Sequence, residues 1–213
     1  MRYRLLILAA ALLSSCAEKG DIDAADLLTC GVFDPEKQIC DTRDGNVYKF
    51  VKINEQIWLA ENLRYSSPSS ACYENVLENC GKYGRLYLWD NEGNKKLCPE
   101  GWHIPSDDEW RILEDLAPDS QLKSRNGWEP YGNISGNGED KYGFAALPAG
   151  VSKFDFKDCE NGGILKLSEW EGFGSATAFM SSVAKYTRVI LSNDELEFCI
   201  AENSLVSARC VKN

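Results

Sequence analysis

The sequence predicts an α+β fold, in which small antiparallel sheets pack with one or two helices and long loops and are stapled by disulfides. Short runs of β-favouring residues separated by turn signals recur through the chain. One segment carries a strong helix start, but the regular strand–helix alternation of a parallel sheet is missing. The nine cysteines among 213 residues fit an oxidising compartment, where disulfides form.

The first predicted pair of elements is a β-hairpin. An Asp44-Gly45 turn precedes a β-favouring run from Val47 to Ile53. An Asn54-Glu55 turn then leads into a second run, Gln56 to Leu59. Two turn signals around such runs are typical of a hairpin. Further on, the aromatic run from Tyr83 to Trp89 fits a short helix or a strand, and the pattern does not decide between them.

The segment around Ser106 predicts the start of a helix. Ser106 is a good N-cap and Glu109, three residues later, completes a capping box. Trp110, Leu113, Leu116 and Ala117 recur at the spacing of one helix face, and Pro118 marks the stop. We therefore expect an amphipathic helix of about three turns. A catalytic carboxylate pair is the alternative for the acidic residues in the first turn, but capping accounts for them without chemistry.

The remaining chain predicts a long loop region followed by a sheet. Residues 126–150 are rich in glycine, asparagine and aromatics and include a short apolar strand, Phe144 to Leu147. Long loops held by disulfides often carry function. Four later runs alternate with turns and favour an antiparallel sheet. They are Ala178 to Val183, Tyr186 to Leu191, Glu197 to Ala201 and Val206 to Val211.

The amino end has the pattern of a secretory signal. Two arginines precede an apolar run from Leu5 to Leu13 that is too short for the ~20 residues of a membrane span. The sequence that follows, Leu13-Ser14-Ser15-Cys16, is similar to the lipobox of bacterial lipoproteins. Cys16 is therefore the predicted lipidation site, and an ordinary signal peptide is the alternative.

This signal defines the predicted division of the chain. Residues 1–15 are the signal peptide, residues 16–40 are the lipidated amino terminus and tether, and residues 41–213 are one folded domain. Ala17, the residue after the predicted lipidation site, resembles the residue found there in lipoproteins that are sorted to the outer membrane. The expected location is therefore the bacterial outer membrane, with a lipid anchor and the domain at the cell surface.

Lipidation of Cys16 resolves the odd number of cysteines. The other eight can all pair: Cys30, Cys40, Cys72, Cys80, Cys98, Cys159, Cys199 and Cys210. Short loops suggest Cys30 with Cys40 and Cys72 with Cys80, which leaves four cysteines to bridge distant segments. Zinc is the alternative, but no pair has the spacing of a zinc knuckle and the chain has one histidine.

The charge limits the partners. A net charge of −10 repels phosphate backbones and anionic lipid surfaces, so nucleic acid is not an expected partner. The expected partners are a membrane, through the lipid anchor, and a polysaccharide or a surface protein.

Two sets of loop residues are candidate binding sites. The first carries oxygen ligands of the kind that calcium prefers, although an EF-hand loop would need a glutamate where Phe144 stands. A plain polar turn is the alternative, and calcium is the one candidate cofactor. The members of this first set are Asn133, Asn137, Glu139 and Asp140. The second set presents flat rings that can stack on sugars. Its members are Trp128, Tyr131, Tyr142 and Trp170.

No enzyme chemistry is indicated, and we expect a protein without catalytic residues. His103 is the only histidine and lacks a second base or a nucleophile motif. Its expected role is a hydrogen-bonding turn residue just before the helix. A glycosidase needs two carboxylates across a cleft, and the many acidic residues leave that alternative open.

Five segments follow one another along the chain: "DTRDGNVYKFVKINEQIWLAENLRY", "ACYENVLENCGKYGRLYLWD", "CPEGWHIPSDDEWRIL", "YGFAALPAG" and "SARCVKN". In this order they resemble the Fibrobacter succinogenes major paralogous domain of lipoproteins and secreted proteins in gut and rumen anaerobes. The chain departs from the family at "AFMSSVAK", where Met180 stands in the usual position of a tryptophan.

That family is similar to the C-type-lectin-like fold of formylglycine-generating enzymes, whose helix start looks like "IPSDDEW". The resemblance implies a helix over Ser106 to Ala117 packed on the small sheet, and a bridge from Cys98 to Cys210. It does not carry the oxidase activity over, because that activity needs a reduced cysteine pair and even pairing leaves none.

The expected function is that of a surface-anchored lipoprotein acting as a non-catalytic binding or adhesion module, with glycans as candidate ligands. The alternatives are a structural component or protein partner of a cell-envelope assembly, and a hydrolase.

Overall fold

The structure is a computed structural model that describes residues 29–88, 96–157, 166–182, 186–194, 196–202 and 204–213, with backbone alone in 153–157, 166–173, 186 and 196–202. The strands are β1 Gln38–Asp41, β2 Asn46–Ile53, β3 Gln56–Leu59, β4 Ser70–Ala71, β5 Leu86–Leu88, β6 Trp102–His103, β7 Ala149–Lys157, β8 Lys166–Phe173, β9 Ala176–Met180, β10 Tyr186–Leu191, β11 Leu196–Glu202, β12 Leu205–Ser207 and β13 Val211–Lys212. The helices are α1 Leu77–Tyr83, α2 Asp107–Leu116 and α3 Asp119–Leu122, and a 3-10 turn covers Tyr73–Asn75.

The strands of the described part form two sheets. The first has the order β1-β2-β3-β13-β6, and the second has the order β4-β5-β12-β9-β10-β11-β7-β8. Most neighbours pair antiparallel, and parallel contacts are limited to single positions of β9 with β7 and with β12. Few helices beside antiparallel sheets confirm the α+β class.

The predicted hairpin is present in the first sheet. Ile53 pairs with Gln56 across a two-residue turn in which Asn54 has a left-handed φ of 54°. Asparagine tolerates that conformation better than most residues, which explains its place there. Strand β1 also pairs with β2, from Gln38 opposite Lys49 onward. The first sheet therefore begins three residues before the predicted domain boundary at residue 41.

Helix α2 has the predicted capping box. The Ser106 hydroxyl accepts from the Glu109 amide, and the Glu109 carboxylate accepts from the Ser106 amide at 2.8 Å. Trp110 packs on Trp58 of β3 with ring centroids 4.8 Å apart. The prediction that Leu116 faces the core was wrong, because the helix ends at this residue and leaves it 40% exposed.

Two predicted strands are corrected by the structure. The run Val206 to Val211 is not one strand: β12 belongs to the second sheet, and β13 belongs to the first. Residues 208–210 cross between the sheets, so that the amides of Leu63 and Leu59 donate to Ala208 and Cys210 at 2.9 Å each. The run Phe144 to Leu147 is not a strand either, because Ala145 has a φ of 49°. Only Ala146 keeps a bridge, to Lys123.

Three disulfides link described residues. Cys30 pairs with Cys40 and Cys72 with Cys80, as the short loops suggested, and Cys98 pairs with Cys210, as the resemblance implied. The side chains of Cys159 and Cys199 lie outside the described residues, as do residues 1–28 with the candidate lipidation site Cys16. Within the ranges that are described, no helix has both the length and the apolar character of a membrane span.

A buried charge cluster connects α3 with the turn after β10. The ammonium group of Lys123 is fully buried, lies 2.5 Å from Asp194 Oδ1 and donates to the carbonyl of Ser192 at 3.1 Å. Asp119 is 4% exposed, and its Oδ2 has no hydrogen-bond partner among the described residues. Burial raises the pKa of Asp119 to about 7, Lys123 opposes the shift, and Asp194 and Glu114 add to it.

Replacing Asp119 by asparagine is expected to raise the free energy of unfolding above pH 7 by roughly 2 to 4 kcal/mol. The folded-state pKa lies above the ordinary value of 3.8. The carboxyl therefore contributes stability that is complete below about pH 4 and is lost as the pH rises through about 7. Urea unfolding from about pH 4 to 8 measures the effect, with exposed Asp108→Asn as the control. Parallel pH profiles for Asp119→Asn and the parent chain would contradict the prediction.

Candidate functional site between the first sheet and the glycine-rich loop

An open cleft of about 850 Å³ lies beside the first sheet. Five parts of the chain line it: residues 34–38 up to the start of β1, residues 49–51 of β2, the segment 60–64 after β3, the carboxyl end of α1 with Gly84, and the loop from Asp140 to Leu147. This volume is within the range of small-molecule and cofactor sites in proteins. The cleft is therefore the candidate binding site in the described part of the molecule.

The lining combines an apolar part with a polar one. Its half-buried apolar side chains are Phe50, Val51, Ala60, Ala145 and Leu147. Its charged side chains are Asp34, Lys37, Lys49, Glu61, Arg64, Lys82 and Asp140. An apolar surface with a few placed polar groups is the usual composition of a ligand site.

Close approach of two backbone segments shapes one wall of the cleft. Gly84 follows α1 with a φ of 83°, and a Cβ atom there would lie 2.5 Å from the Cβ of Asn62. Only glycine fits this conformation and this distance. Asn62 in turn donates to the carbonyl of Tyr83 at 2.8 Å. The end of α1 is thus fixed against the segment after β3.

Arg209 joins this wall to the opposite one from beneath the cleft. Its Nε donates to Asn62 Oδ1 at 2.8 Å. Its Nη1 donates to the carbonyl of Phe144 and its Nη2 to that of Ala145 at 3.1 Å. The side chain is fully buried, and its guanidinium lies over the Phe144 ring, 4.3 Å from the centroid. Burial lowers the pKa of Arg209 to about 9, against the attraction of Glu61 and Asp140.

The four aromatic candidates do not form one surface. Trp128 is 4% exposed, and its Nε1 donates to the carbonyl of Ala146 at 2.9 Å, so its ring is not available for stacking on a sugar. Tyr142 is half-buried against the core. Tyr131 is 60% exposed and stands beside Ile134 in a tight turn. The side chain of Trp170 lies outside the described residues.

The four calcium candidates are spread along the same loop. Asn137 Oδ1 accepts from the amide of Trp128 at 3.0 Å, and Asp140 Oδ1 accepts from the amide of Ala145 at 2.8 Å. Asn133 and Glu139 are exposed. Within the described ranges, no group of three or more His, Cys, Asp or Glu side chains converges on a metal-sized site. Calcium remains a prediction, and Asp140 is the one candidate that lines the cleft.

His103 hydrogen-bonds close to the start of α2, as predicted, but it lies in strand β6 rather than in a turn. Its Nε2 lies 2.9 Å from Glu109 Oε1, and its Nδ1 lies 2.6 Å from Asn213 Oδ1. The Ser106 hydroxyl donates to Glu109 Oε2 at 2.8 Å, so the carboxylate stands between the serine and the histidine. Burial works to raise the pKa of Glu109, but hydrogen bonds from Ser106 and His103 lower it overall. A serine nucleophile needs direct contact with its base, and this corner does not supply it.

The residues that line the cleft were not found from the sequence. They come from five separate stretches of the chain, residues 34–38, 49–51, 60–64, 81–84 and 140–147, and each has a local explanation as strand, turn or helix end. The one available signal was that Lys49, Glu61 and Lys82 fall within two of the five quoted segments.

The fold and the cleft define a disulfide-linked α+β domain with a ligand-sized surface site. A model of the Fibrobacter succinogenes major domain matches residues 51–212, and the chain belongs to this family. The family predicted from the five quoted segments is thus confirmed. Neither a search of curated proteins nor a search of solved structures gave a match.

Proposed function

We propose that the protein is a lipoprotein of the bacterial outer membrane and that its domain is a non-catalytic binding module at the cell surface, with glycans as the ligand class. The observation that carries this proposal is the cleft of about 850 Å³, whose lining contains both apolar and charged side chains. A sugar ring has an apolar face and a polar edge, and such a lining complements both.

The rigidity of the cleft supports a binding role. A preformed site avoids the free-energy cost of ordering side chains and loops during association. Strand β2 is paired on both sides, by β1 and by β3. Arg209 fixes the opposite wall through the carbonyls of Phe144 and Ala145.

A C-type-lectin-like architecture is part of the proposal. It is supported by the packing of Trp110 in α2 on Trp58 in the first sheet, and by the bridge between Cys98 and Cys210 that the resemblance implied. Function on this kind of fold depends on the individual site, so the cleft rather than the architecture has to be tested.

The test is a glycan array followed by titration calorimetry, with calcium and with chelator. Ala60 lines the cleft, so Ala60→Trp should fill it and weaken binding at least about 10-fold by steric exclusion. Val32→Trp is the matched control, because Val32 is exposed and lies outside the lining. Loss of affinity on chelation would show a calcium requirement. Equal affinities for Ala60→Trp and Val32→Trp would remove the cleft from the proposal.

A protein partner is the second candidate, and one observation favours it. Tyr131 and Ile134 are 60% and 70% exposed and share a turn, in which each amide donates to the other's carbonyl. Exposed aromatic and aliphatic side chains are common at protein interfaces. If Tyr131→Ser weakens binding to envelope proteins while Ala60→Trp does not, the structural role in a cell-envelope assembly is favoured.

A further inference from the structure

We propose that the cleft selects an anionic ligand, in the form of a polysaccharide that bears carboxylate or sulfate groups. This inference rests on the proposed glycan-binding function and specifies its ligand class. It is argued from two groups of charged side chains in the cleft: those that already have a partner within the protein, and those that do not.

The three carboxylates of the cleft all have partners in the protein. Glu61 accepts from Arg64 at 2.6 Å, and Asp34 lies 3.5 Å from the ammonium group of Lys37. Asp140 accepts from the amide of Ala145 at 2.8 Å. A ligand cation would have to compete with these contacts. Each carboxylate of the cleft therefore already has a donor or a cation beside it within the protein before any ligand binds.

Two ammonium groups of the cleft are not neutralised in this way. Neither Lys49 of β2 nor Lys82 of α1 forms an ion pair or hydrogen bond with any described residue, and both are exposed. Lys82 has one described contact, over the Tyr83 ring at 4.7 Å. Lysine binds carboxylate and sulfate oxygens as a point charge without a fixed orientation. Because both residues line the same cleft, an anion bound there meets two ammonium groups that have no carboxylate partner among the described residues.

A third cation lies behind the wall. Arg209 donates to neutral carbonyls and an amide oxygen, and no carboxylate among the described residues hydrogen-bonds to it. Its pKa of about 9 keeps it charged at neutral pH. Glu61 and Asp140, whose charges act to raise its pKa, belong to the cleft itself. The lining has four cationic side chains and three carboxylates, and the buried Arg209 adds a fifth cation behind it.

This local excess contrasts with the whole molecule. The chain carries a net charge of −10, so its average field repels an anionic polysaccharide. An anionic ligand is therefore attracted by the local charge at the cleft, whereas the average field of the molecule repels it. Such binding weakens as salt screens the exposed ammonium groups, whereas stacking of a neutral sugar on the apolar lining does not.

The experiment compares matched ligands by calorimetry on the oxidised protein. The probes are a galacturonic acid oligomer, its methyl ester of the same length, and a sulfated galactose oligomer. We expect the charged oligomers to bind about 10-fold more tightly than the ester, since a hydrogen bond to a charged group contributes more than one to a neutral group. The uronate and the sulfate, compared with each other, show which acidic group is preferred.

The variants locate the effect. Lys49→Gln combined with Lys82→Gln should bring the uronate and the ester to equal affinity without changing the affinity for the ester. Lys52→Gln is the matched control, because Lys52 is an exposed lysine of β2 that does not line the cleft. It should keep the preference for the uronate.

The outcomes separate this inference from the function on which it rests. If the ester and the uronate bind equally well to the parent chain, the anionic preference is overturned and the glycan-binding function stands. If Lys52→Gln reduces the preference as much as the double variant, the effect is one of overall charge, and the inference is again overturned. If no oligomer binds, the glycan-binding proposal itself fails.

Discussion

Replacing Arg209 by methionine is expected to destabilise the domain by about 5 kcal/mol or more, which is close to the whole stability of many domains. The change removes the donors for the carbonyls of Leu59, Phe144 and Ala145 and for Asn62 Oδ1. Each buried acceptor left without a partner costs about 1 to 3 kcal/mol. Methionine restores the packing on the Phe144 ring but none of these hydrogen bonds.

Lysine at the same position tests whether charge alone is enough. Its single ammonium group does not reproduce the planar fork that reaches Asn62 on one side and the carbonyls of Phe144 and Ala145 on the other. Arg209→Lys should therefore also lose several kcal/mol. Urea unfolding measures the loss, and Arg111→Met serves as the control because Arg111 is exposed. A loss below about 1 kcal/mol in Arg209→Met would show that the hydrogen bonds of Arg209 do not stabilise the fold.

Removing the bridge between Cys98 and Cys210 is the second large change. The two residues are 112 apart in the sequence, and a loop of this length restricts the unfolded chain by about 5 kcal/mol in the chain-entropy account. The double replacement by serine should lower the free energy of unfolding by a comparable amount. The bridge also fixes the segment between the two sheets, whose amide partners are Leu59 and Leu63.

The short bridge between Cys30 and Cys40 gives a comparison within the same chain. Its residues are 10 apart, so the chain-entropy account predicts a loss about 2 kcal/mol smaller when both become serine. Thermal unfolding of the two double variants under the same oxidising conditions measures the difference. Equal losses would show that local packing rather than loop length determines the contribution of each bridge.

The elements that were predicted correctly from the sequence depend on neighbouring residues. The hairpin needs only its two-residue turn at Asn54-Glu55, and the start of α2 needs only Ser106 and Glu109. Two of the three described disulfides close short loops, which spacing alone suggested. The third was implied by the family and not by spacing.

The elements that were missed depend on distant residues. The run Val206 to Val211 has the pattern of one strand, but its two halves find partners in different sheets, at Tyr87 and at Trp58. Trp128 looks like a loop residue, but it packs in the core, where its Nε1 donates to the carbonyl of Ala146, 18 residues away. Such partners exist only after the chain has folded, so local patterns do not reveal them.

The loop predicted to carry a binding site contributes to the candidate cleft, but not through the aromatic residues that were predicted. Trp128 and Tyr131 suggested an aromatic surface, whereas the structure buries the first and exposes the second at a turn. The loop contributes to the cleft through Asp140 to Leu147 instead. Lys49 and Lys82 became candidates only when the fold brought β2 and α1 to one place.

The position of β13 has a consequence for the order in which the molecule assembles. In the first sheet, β13 lies between β3 and β6, and its partners at Val211 are Trp58 and His103. A ribosome makes the chain from the amino end, so β3 and β6 are synthesised long before the strand that joins them. The first sheet therefore cannot be completed before Val211 is available, and without β13 the facing edges of β3 and β6 have no partner in this sheet.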